Sequence, residues 1–325
     1  MRAQSDRADG TTLAGRDPDR TRERAEALAA RLSGDGPPLL LDGATGTELE
    51  RAGVPTGLPL WSTHALLEAP RSVAAIHRAH LRAGAEIVTA NTFRTQARTL
   101  DRAGLPAESD RELTRLAVEL ARRAVLDAGV AGPRWVAGSL PPLEDCYAPE
   151  RVPARDDLDR EHRRQVDLLG EAGVDLVLIE TMNSALEAEC AARAAATSGL
   201  PFVVSFVSWT PGRLLSGDDL ARAARAVLDL GAAVVGVNCV PPSTLPASLE
   251  CLGALDAPLL VSPNLGEPDE ETGFSRSEAL TPEAFAASLA PWLARPTLRI
   301  LGGCCGTTPD HVAALDRSRQ ARPAD

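Results

Sequence analysis

The sequence contains no lysine, and all 34 of its lysine-plus-arginine positions are arginines. Acidic residues number 45, which gives a formal net charge of -11 at pH 7. A chain with this excess of negative charge has no basic surface for nucleic acid or for an anionic membrane. We therefore expect neither of them as a partner.

Long apolar runs are also absent from the sequence, and none approaches the roughly 20 residues that a transmembrane helix needs. Arginines are frequent over Met1–Arg24, but acidic residues are interleaved with them and no apolar segment follows. This pattern argues against a secretory signal, so we expect a cytoplasmic protein. The six cysteines are too few for a disulfide scaffold, and some of them could instead meet around a metal.

From Pro37 onward, short apolar runs alternate with longer helical patterns rich in Ala, Leu and Arg. Nearly unbroken runs such as Leu176–Ile179 are typical of strands that are buried on both faces of a parallel sheet. The runs are Leu39–Gly43, Glu86–Thr92, Trp135–Leu140, Asp175–Thr181, Phe202–Val207, Ala233–Cys239, Pro258–Asn264 and Leu298–Gly303. Helical patterns cover Glu112–Ala128, Leu158–Ala172, Ser184–Ala196, Gly217–Leu230 and Thr281–Trp292. Eight strands that alternate with helices predict an α/β fold of the (β/α)8, or TIM, barrel type.

A doubly wound open sheet is the main alternative fold, and it usually carries a glycine-rich phosphate turn after its first strand. Here the first run leads into Asp42–Thr47, which lacks that glycine spacing. The predicted organisation is a polar extension over residues 1–36, the barrel over 37–318 and a tail over 319–325. The first half of the extension should be disordered, and Thr21–Leu32 should form a short amphipathic helix.

Polar side chains and thiols follow directly on several of the predicted strands. They are Asp42, Asn91, Thr92, Ser139, Glu180, Asn238, Cys239, Asn264, Cys304 and Cys305. Such groups are costly to bury without partners, and the C-terminal ends of the strands form the active site of a (β/α)8 barrel. Their clustering at one end predicts a functional site.

Three of the cysteines fall close together on the rim of the predicted barrel, Cys239 after the sixth strand and Cys304 and Cys305 after the eighth. Thiolates are soft ligands that favour zinc, and three protein ligands leave one tetrahedral position open, as in catalytic zinc sites. A substrate thiol bound in that position would be deprotonated. The alternatives are inert buried thiols or a redox-active Cys304–Cys305 pair.

The other cysteines and the histidines carry weaker signals. Cys190 and Cys251 lie in helical patterns and are interpreted as inert, whereas Cys146, in a proline-rich loop, could be inert or functional. His77 and His80 are spaced i, i+3 on a helix and could share a metal, although contacts within the core are the more frequent role.

Five segments resemble, in order and spacing, the motifs of homocysteine S-methyltransferases. They are Leu41–Leu49, Ala90–Phe93, Glu180–Thr181, Gly236–Cys239 and Gly302–Thr307. The resemblance runs from about Leu39 to Leu315. It implies a (β/α)8 barrel that binds Zn²⁺ through Cys239, Cys304 and Cys305 and that transfers a methyl group to L-homocysteine.

The same resemblance implies a set of substrate-binding residues. Asp42 and Glu180 would face the amino group of homocysteine, and groups around Gly43 and Thr92 would complete the pocket. Asn238 would belong to the same site and orient the loop that carries Cys239.

Two loops that would face the methyl donor depart from the family's frequent pattern. Residues 138–147 replace a Gly-Ser-x-Gly-Pro-Tyr-Gly stretch, and Ser262–Gly266 replaces Tyr-Pro-Asn-Ser-Gly. S-methylmethionine is the first choice of donor and S-adenosylmethionine the second. Because both are sulfonium ions, we expect a wall that accepts a cation, with Trp61, Tyr147, Glu144 and Asp145 as candidates. The alternatives are a different thiol or selenol as acceptor, or a non-enzymatic zinc- or redox-sensing barrel.

Overall fold

The structure, a computed structural model, describes residues 18–34, 36–265 and 280–321. Three parts of the sequence predictions therefore lie outside the described residues. They are the disordered first half of the extension (residues 1–17), Gly266 in the loop after the seventh strand, and residues 322–325 of the tail.

Eight parallel strands form the centre of the molecule. They are β1 (Leu39–Leu40), β2 (Ile87–Ala90), β3 (Trp135–Leu140), β4 (Leu176–Met182), β5 (Phe202–Phe206), β6 (Val234–Asn238), β7 (Leu259–Ser262) and β8 (Leu298–Leu301). From β2 to β8 each strand pairs with its sequence neighbour, and β8 pairs with β1. A parallel bridge between Leu41 and Ile87 joins β1 to β2 and completes the ring. The predicted (β/α)8 barrel is confirmed.

Twelve α-helices lie in the described part of the chain, most of them around the barrel. They are α1 (Pro18–Ser33), α2 (Gly46–Arg51), α3 (His64–Glu68), α4 (Pro70–Arg82), α5 (Ala97–Arg102), α6 (Ser109–Asp127), α7 (Arg155–Ala172), α8 (Ala185–Ala196), α9 (Leu220–Asp229), α10 (Leu245–Gly253), α11 (Pro282–Leu293) and α12 (Pro309–Gln320). Thr281 caps α11 by accepting a hydrogen bond from Ala284 N, and Thr308 opens a capping box at α12. No helix of the described residues is long and apolar enough to cross a membrane.

Alternate residues of the strands bury their side chains in two different apolar layers. One set, which includes Leu39, Trp135 and Leu176, forms a cluster inside the barrel. The other set, which includes Leu40 and Val177, packs against the surrounding helices. All strand residues except Thr89, Glu180 and Arg299 are buried on one side or the other, which explains the nearly unbroken apolar runs of the sequence.

Helix α1 closes the N-terminal end of the barrel. Its Leu28 and Leu32 are buried in the interior cluster. Arg24 donates from Nε to Asp175 Oδ1 at 2.8 Å, and Arg122 of α6 donates from Nη1 to Asp175 Oδ2 at 2.7 Å. The helix predicted over Thr21–Leu32 is therefore present, slightly longer than expected, and is anchored to the barrel by apolar burial and by an ion pair.

Candidate active site

A cavity of about 860 Å³ opens at the C-terminal ends of the strands, where a (β/α)8 barrel carries its active site. The predicted residues that line it are Asp42, Gly43, Glu180, Asn238, Cys239, Cys304, Cys305, Trp61, Glu144, Asp145 and Tyr147. Thr92 is predicted for the site but is not among the lining residues. The structure thus brings the metal-ligand candidates and most of the substrate-binding candidates to one place.

The three predicted metal ligands form a compact thiol cluster. Their Sγ atoms all lie within 4.8 Å of one another, and the Sγ atoms of Cys239 and Cys305 are 3.8 Å apart. Tetrahedral zinc with Zn–S bonds of about 2.3 Å separates its sulfurs by about 3.8 Å. The spacing and the chemistry of this donor set therefore fit Zn²⁺.

The thiols of the cluster have unequal pKa values. The hydrogen bonds that join the thiols raise the pKa of Cys304 and Cys305 and lower the pKa of Cys239. Without a metal, one thiolate is thus stabilised by two neighbouring thiols. Three thiolates this close together would repel one another, so a bound cation would stabilise the fully deprotonated cluster.

Tight turns after β6 and β8 hold the thiols in place. Cys239 directly follows β6 and has a φ of +55°, a left-handed conformation that is strained for a residue with a Cβ. A Cβ on Gly303 would lie 2.5 Å from Thr307 Oγ1, and Gly306 has a φ of +85°. The glycines around Cys304 are thus required for the backbone to make this turn.

Asn238 fastens the Cys239 turn to the neighbouring strands. Its Oδ1 accepts hydrogen bonds from Thr181 N at 2.8 Å and from Ser205 Oγ at 2.6 Å, and its Nδ2 donates to Thr181 Oγ1 at 2.9 Å. These bonds join β4, β5 and β6 just below the thiol cluster. These bonds fix the backbone of Asn238, which directly precedes Cys239.

Two carboxylates, the buried Asp42 and the partly buried Glu180, line the same cavity without a charged partner. Asp42 accepts from Thr89 N and Thr89 Oγ1, both at 2.8 Å, and Glu180 accepts from Ser139 Oγ at 2.5 Å. Burial raises the pKa of Asp42 to about 7 and the pKa of Glu180 to about 8. Neither carboxylate has an ion-pair partner among the described residues, so both are placed to accept a cationic ligand group.

Gly43 and Thr92 are predicted site residues that differ in their placement. Gly43 lines the cavity, and a Cβ there would lie 2.8 Å from His80 Cε1. Thr92 is buried, and its hydroxyl donates to Ser139 O at 2.9 Å. The Thr92 side chain therefore fixes the backbone of β3, whose Ser139 side chain holds Glu180.

The two histidines that could share a metal are buried in α4 and do not line the cavity. Burial lowers the pKa of His77 to about 3 and the pKa of His80 to about 4, so both are neutral. His80 Nε2 lies 3.2 Å from Ala44 O and supports the turn after β1.

The candidates for the cation-accepting wall have different surroundings. Tyr147 stacks on Trp209 with ring centroids 5.5 Å apart, and its hydroxyl lies 3.2 Å from Cys239 Sγ. Glu144 is already paired with Arg98 at 3.1 Å and with Arg102 at 2.5 Å, so its charge is compensated within the protein. Sequence reasoning missed Trp209, although its position shortly after β5 is a signal that could have found it.

The chain matches the model of the homocysteine S-methyltransferase family over residues 39–318. It is 32% identical over 293 residues to a homocysteine S-methyltransferase of Escherichia coli strain K12, with 85% of this chain and 94% of the relative covered. It is 28% identical over 326 residues to a selenocysteine Se-methyltransferase of Brassica oleracea var. italica, with 87% and 89% covered. The metallated homocysteine methyltransferase MmuM of Escherichia coli superposes with a TM-score of 0.76 at 29% identity, covering 90% of this chain and 99% of that one.

Proposed function

Since the chain belongs to the homocysteine S-methyltransferase family, we propose that this methyltransferase uses zinc to transfer a methyl group from a sulfonium donor to L-homocysteine, giving methionine. S-methylmethionine is the first-choice donor and S-adenosylmethionine the second. Zn²⁺ would be held by Cys239, Cys304 and Cys305.

One observation supports this function above all others: the thiol cluster and two carboxylates without countercharges share a single cavity. Homocysteine carries a thiol at one end and an ammonium group at the other. The thiol cluster suits the first, and Asp42 and Glu180 suit the second. No other cluster of three possible metal ligands is present among the described residues.

Each group of the site has a chemical task under this proposal. Zinc bound by the three cysteines would lower the pKa of the acceptor thiol and present it as a thiolate. Asp42 and Glu180 would bind the ammonium group, whose positive charge favours their ionised forms and offsets the effect of burial. Asn238 would keep Cys239 in position by its bonds to Thr181 and Ser205.

The transfer step itself requires little acid–base catalysis from the protein. The bond between the donor sulfur and its methyl carbon breaks while the new sulfur–carbon bond forms, and the electron pair stays on the donor sulfur. A sulfonium donor therefore leaves as a neutral thioether, which needs no proton. The task left to the cavity walls is to align the two sulfurs with the methyl carbon between them.

A selenol acceptor is the second candidate, and a selenocysteine Se-methyltransferase among the relatives favours it. Selenocysteine is shorter than homocysteine by one methylene, so the distance from the thiol cluster to the carboxylates would decide the preference. A zinc- or redox-sensing barrel would use the same cysteines without any acceptor.

Offering the zinc-loaded protein each acceptor with each donor tests the proposal. We expect about one zinc per chain and formation of methionine from homocysteine and S-methylmethionine. Methylation of selenocysteine alone would favour the second candidate. Stoichiometric zinc with no methyl transfer from either donor would contradict the proposed enzyme and favour a sensor.

A further inference from the structure

Arg94 lines the cavity with a positive charge that the described residues do not compensate. Its Nη1 donates to the backbone oxygen of Glu144 at 3.1 Å, and its Nε is buried without a hydrogen-bond partner. The other arginines of the cavity wall are paired, Arg102 with Glu144 at 2.5 Å and Arg151 with Glu150 at 3.9 Å. No carboxylate of the described residues forms an ion pair with Arg94.

The surroundings of Arg94 restrain its guanidinium group but provide few hydrogen-bond acceptors for it. Its Cζ lies 5.3 Å from the centre of the Phe93 ring, and Phe93 packs edge-to-face on Trp61 with centroids 5.7 Å apart. Trp61 Nε1 is a second buried donor without a partner. An arginine fork fits a carboxylate with two parallel hydrogen bonds, and a part-buried guanidinium group gains from such a partner.

The position of Arg94 in the fold points to the donor rather than to homocysteine. Arg94 is bonded to the loop after β3, which also carries Asp145 and Tyr147 and departs from the family's frequent pattern. Asp145 lines the cavity too, and its Oδ1 accepts from Tyr147 N at 2.9 Å. Asp145 forms no ion pair with the described residues, so this loop places one unpaired negative charge in the cavity that Arg94 also lines.

We propose that Arg94 binds the carboxylate of the methyl donor while Asp145 faces one of its cationic groups. Under this assignment the site recognises the α-carboxylate of a donor such as S-methylmethionine as well as its sulfonium group. The inference rests on the proposed function, because it assigns a donor site in the same cavity. It makes Arg94 a specificity-determining residue.

Binding of S-methylmethionine and of its α-carboxamide to the zinc-loaded protein, measured by calorimetry, tests the assignment. We expect the wild type to bind the carboxylate form about ten- to a hundredfold more tightly. Arg94→Gln should lose this preference, Arg94→Lys should keep part of it, and both should bind homocysteine as the wild type does. Arg115→Gln, which removes an exposed arginine of α6, is the matched control for loss of charge.

Several results would overturn the assignment. These are equal affinity of the wild type for the two forms, no binding of S-methylmethionine, or a preference that survives in Arg94→Gln. Weaker homocysteine binding with unchanged donor binding in Arg94→Gln would also overturn it, because the carboxylate would then be that of the acceptor. A measurement of methionine formation separates the two proposals: a clear carboxylate preference without methionine formation defeats the proposed function but leaves Arg94 assigned.

Discussion

Carboxylates at the two ends of the barrel have opposite electrostatic surroundings. Asp175, just before β4 at the N-terminal end, accepts hydrogen bonds from Arg24 and from Arg122 and is 1% exposed. Burial alone would raise the pKa of Asp175, but its bonds to Arg24 and Arg122 lower it below the ordinary value. At the C-terminal end, Asp42 and Glu180 have only uncharged donors, and burial raises their pKa to about 7 and about 8.

We propose that this difference separates a structural carboxylate from a binding carboxylate. The protein supplies the countercharge of Asp175 itself, so the ion pair fastens α1 and α6 to the barrel. At the other end the countercharge is left out, which costs stability in the free protein but leaves a site for a ligand cation. The thiol cluster repeats the pattern under this proposal, since its three sulfurs would also take their countercharge from a bound cation.

Loss of a metal ligand should have the largest effect on the C-terminal end. Cys304→Ala is expected to reduce bound zinc from about one per chain to none, because only two of the three thiolate ligands would remain. Cys190→Ala, which removes a buried cysteine of α8, should keep the metal and serves as the control. Unchanged metal content in the single alanine variants of Cys239, Cys304 and Cys305 would contradict the site.

The next largest effect is expected at the opposite end. Asp175→Asn should lower the free energy of unfolding by about 2–4 kcal/mol, less than the full cost of breaking a buried ion pair because both arginines are partly exposed. Metal content and homocysteine affinity should stay at wild-type values. Denaturant unfolding, with Asp42→Asn as the comparison, measures the difference. An Asp175→Asn protein with wild-type stability and weakened homocysteine binding would reverse the roles of the two ends.

The sequence predicted the features that depend on local pattern. The third strand has the bounds that were expected, and the helix expected over Ser184–Ala196 is observed over Ala185–Ala196. The first strand was predicted over Leu39–Gly43 but spans only Leu39–Leu40, followed by a single bridge at Leu41 and then by Asp42 and Gly43, which line the cavity. The thiol cluster was predictable because strand order alone brings the cysteines to neighbouring positions on the rim.

Features that depend on tertiary distances were not accessible from the sequence. The amphipathic pattern of α1 shows that one face is buried but not that Leu28 enters the barrel. The sequence also does not show which carboxylates pair with arginines, because Arg24 and Asp175 are 151 positions apart in the chain. The same limit explains why Arg94 and Trp209 were missed.

A smaller effect, of opposite sign at the two ends, should appear in the pH dependence of stability. Glu180 has a raised folded pKa. Its contribution to the free energy of unfolding is therefore complete below its unfolded pKa of about 4 and is lost as pH rises through about 8. The contribution of Asp175 is present above about pH 4 and is lost as pH falls through its lowered pKa. In metal-free protein without ligand, the stability of Glu180→Gln relative to wild type should therefore increase from pH 5 to pH 8, and that of Asp175→Asn should not. Urea unfolding at both pH values measures this, and a Glu180→Gln difference that is independent of pH would contradict it.

The most direct test of the claim that Asp42 and Glu180 await a ligand's ammonium group compares homocysteine with 4-mercaptobutanoate. This analogue keeps the thiol and the carboxylate and lacks only the amino group. Calorimetry on the zinc-loaded wild type at pH 8 should show about ten- to a hundredfold tighter binding of homocysteine. Glu180→Gln and Asp42→Asn should each lose much of that preference, and Asp175→Asn should retain it. Equal affinity of the wild type for homocysteine and for the analogue would contradict the claim, even if the cysteine ligands proved correct.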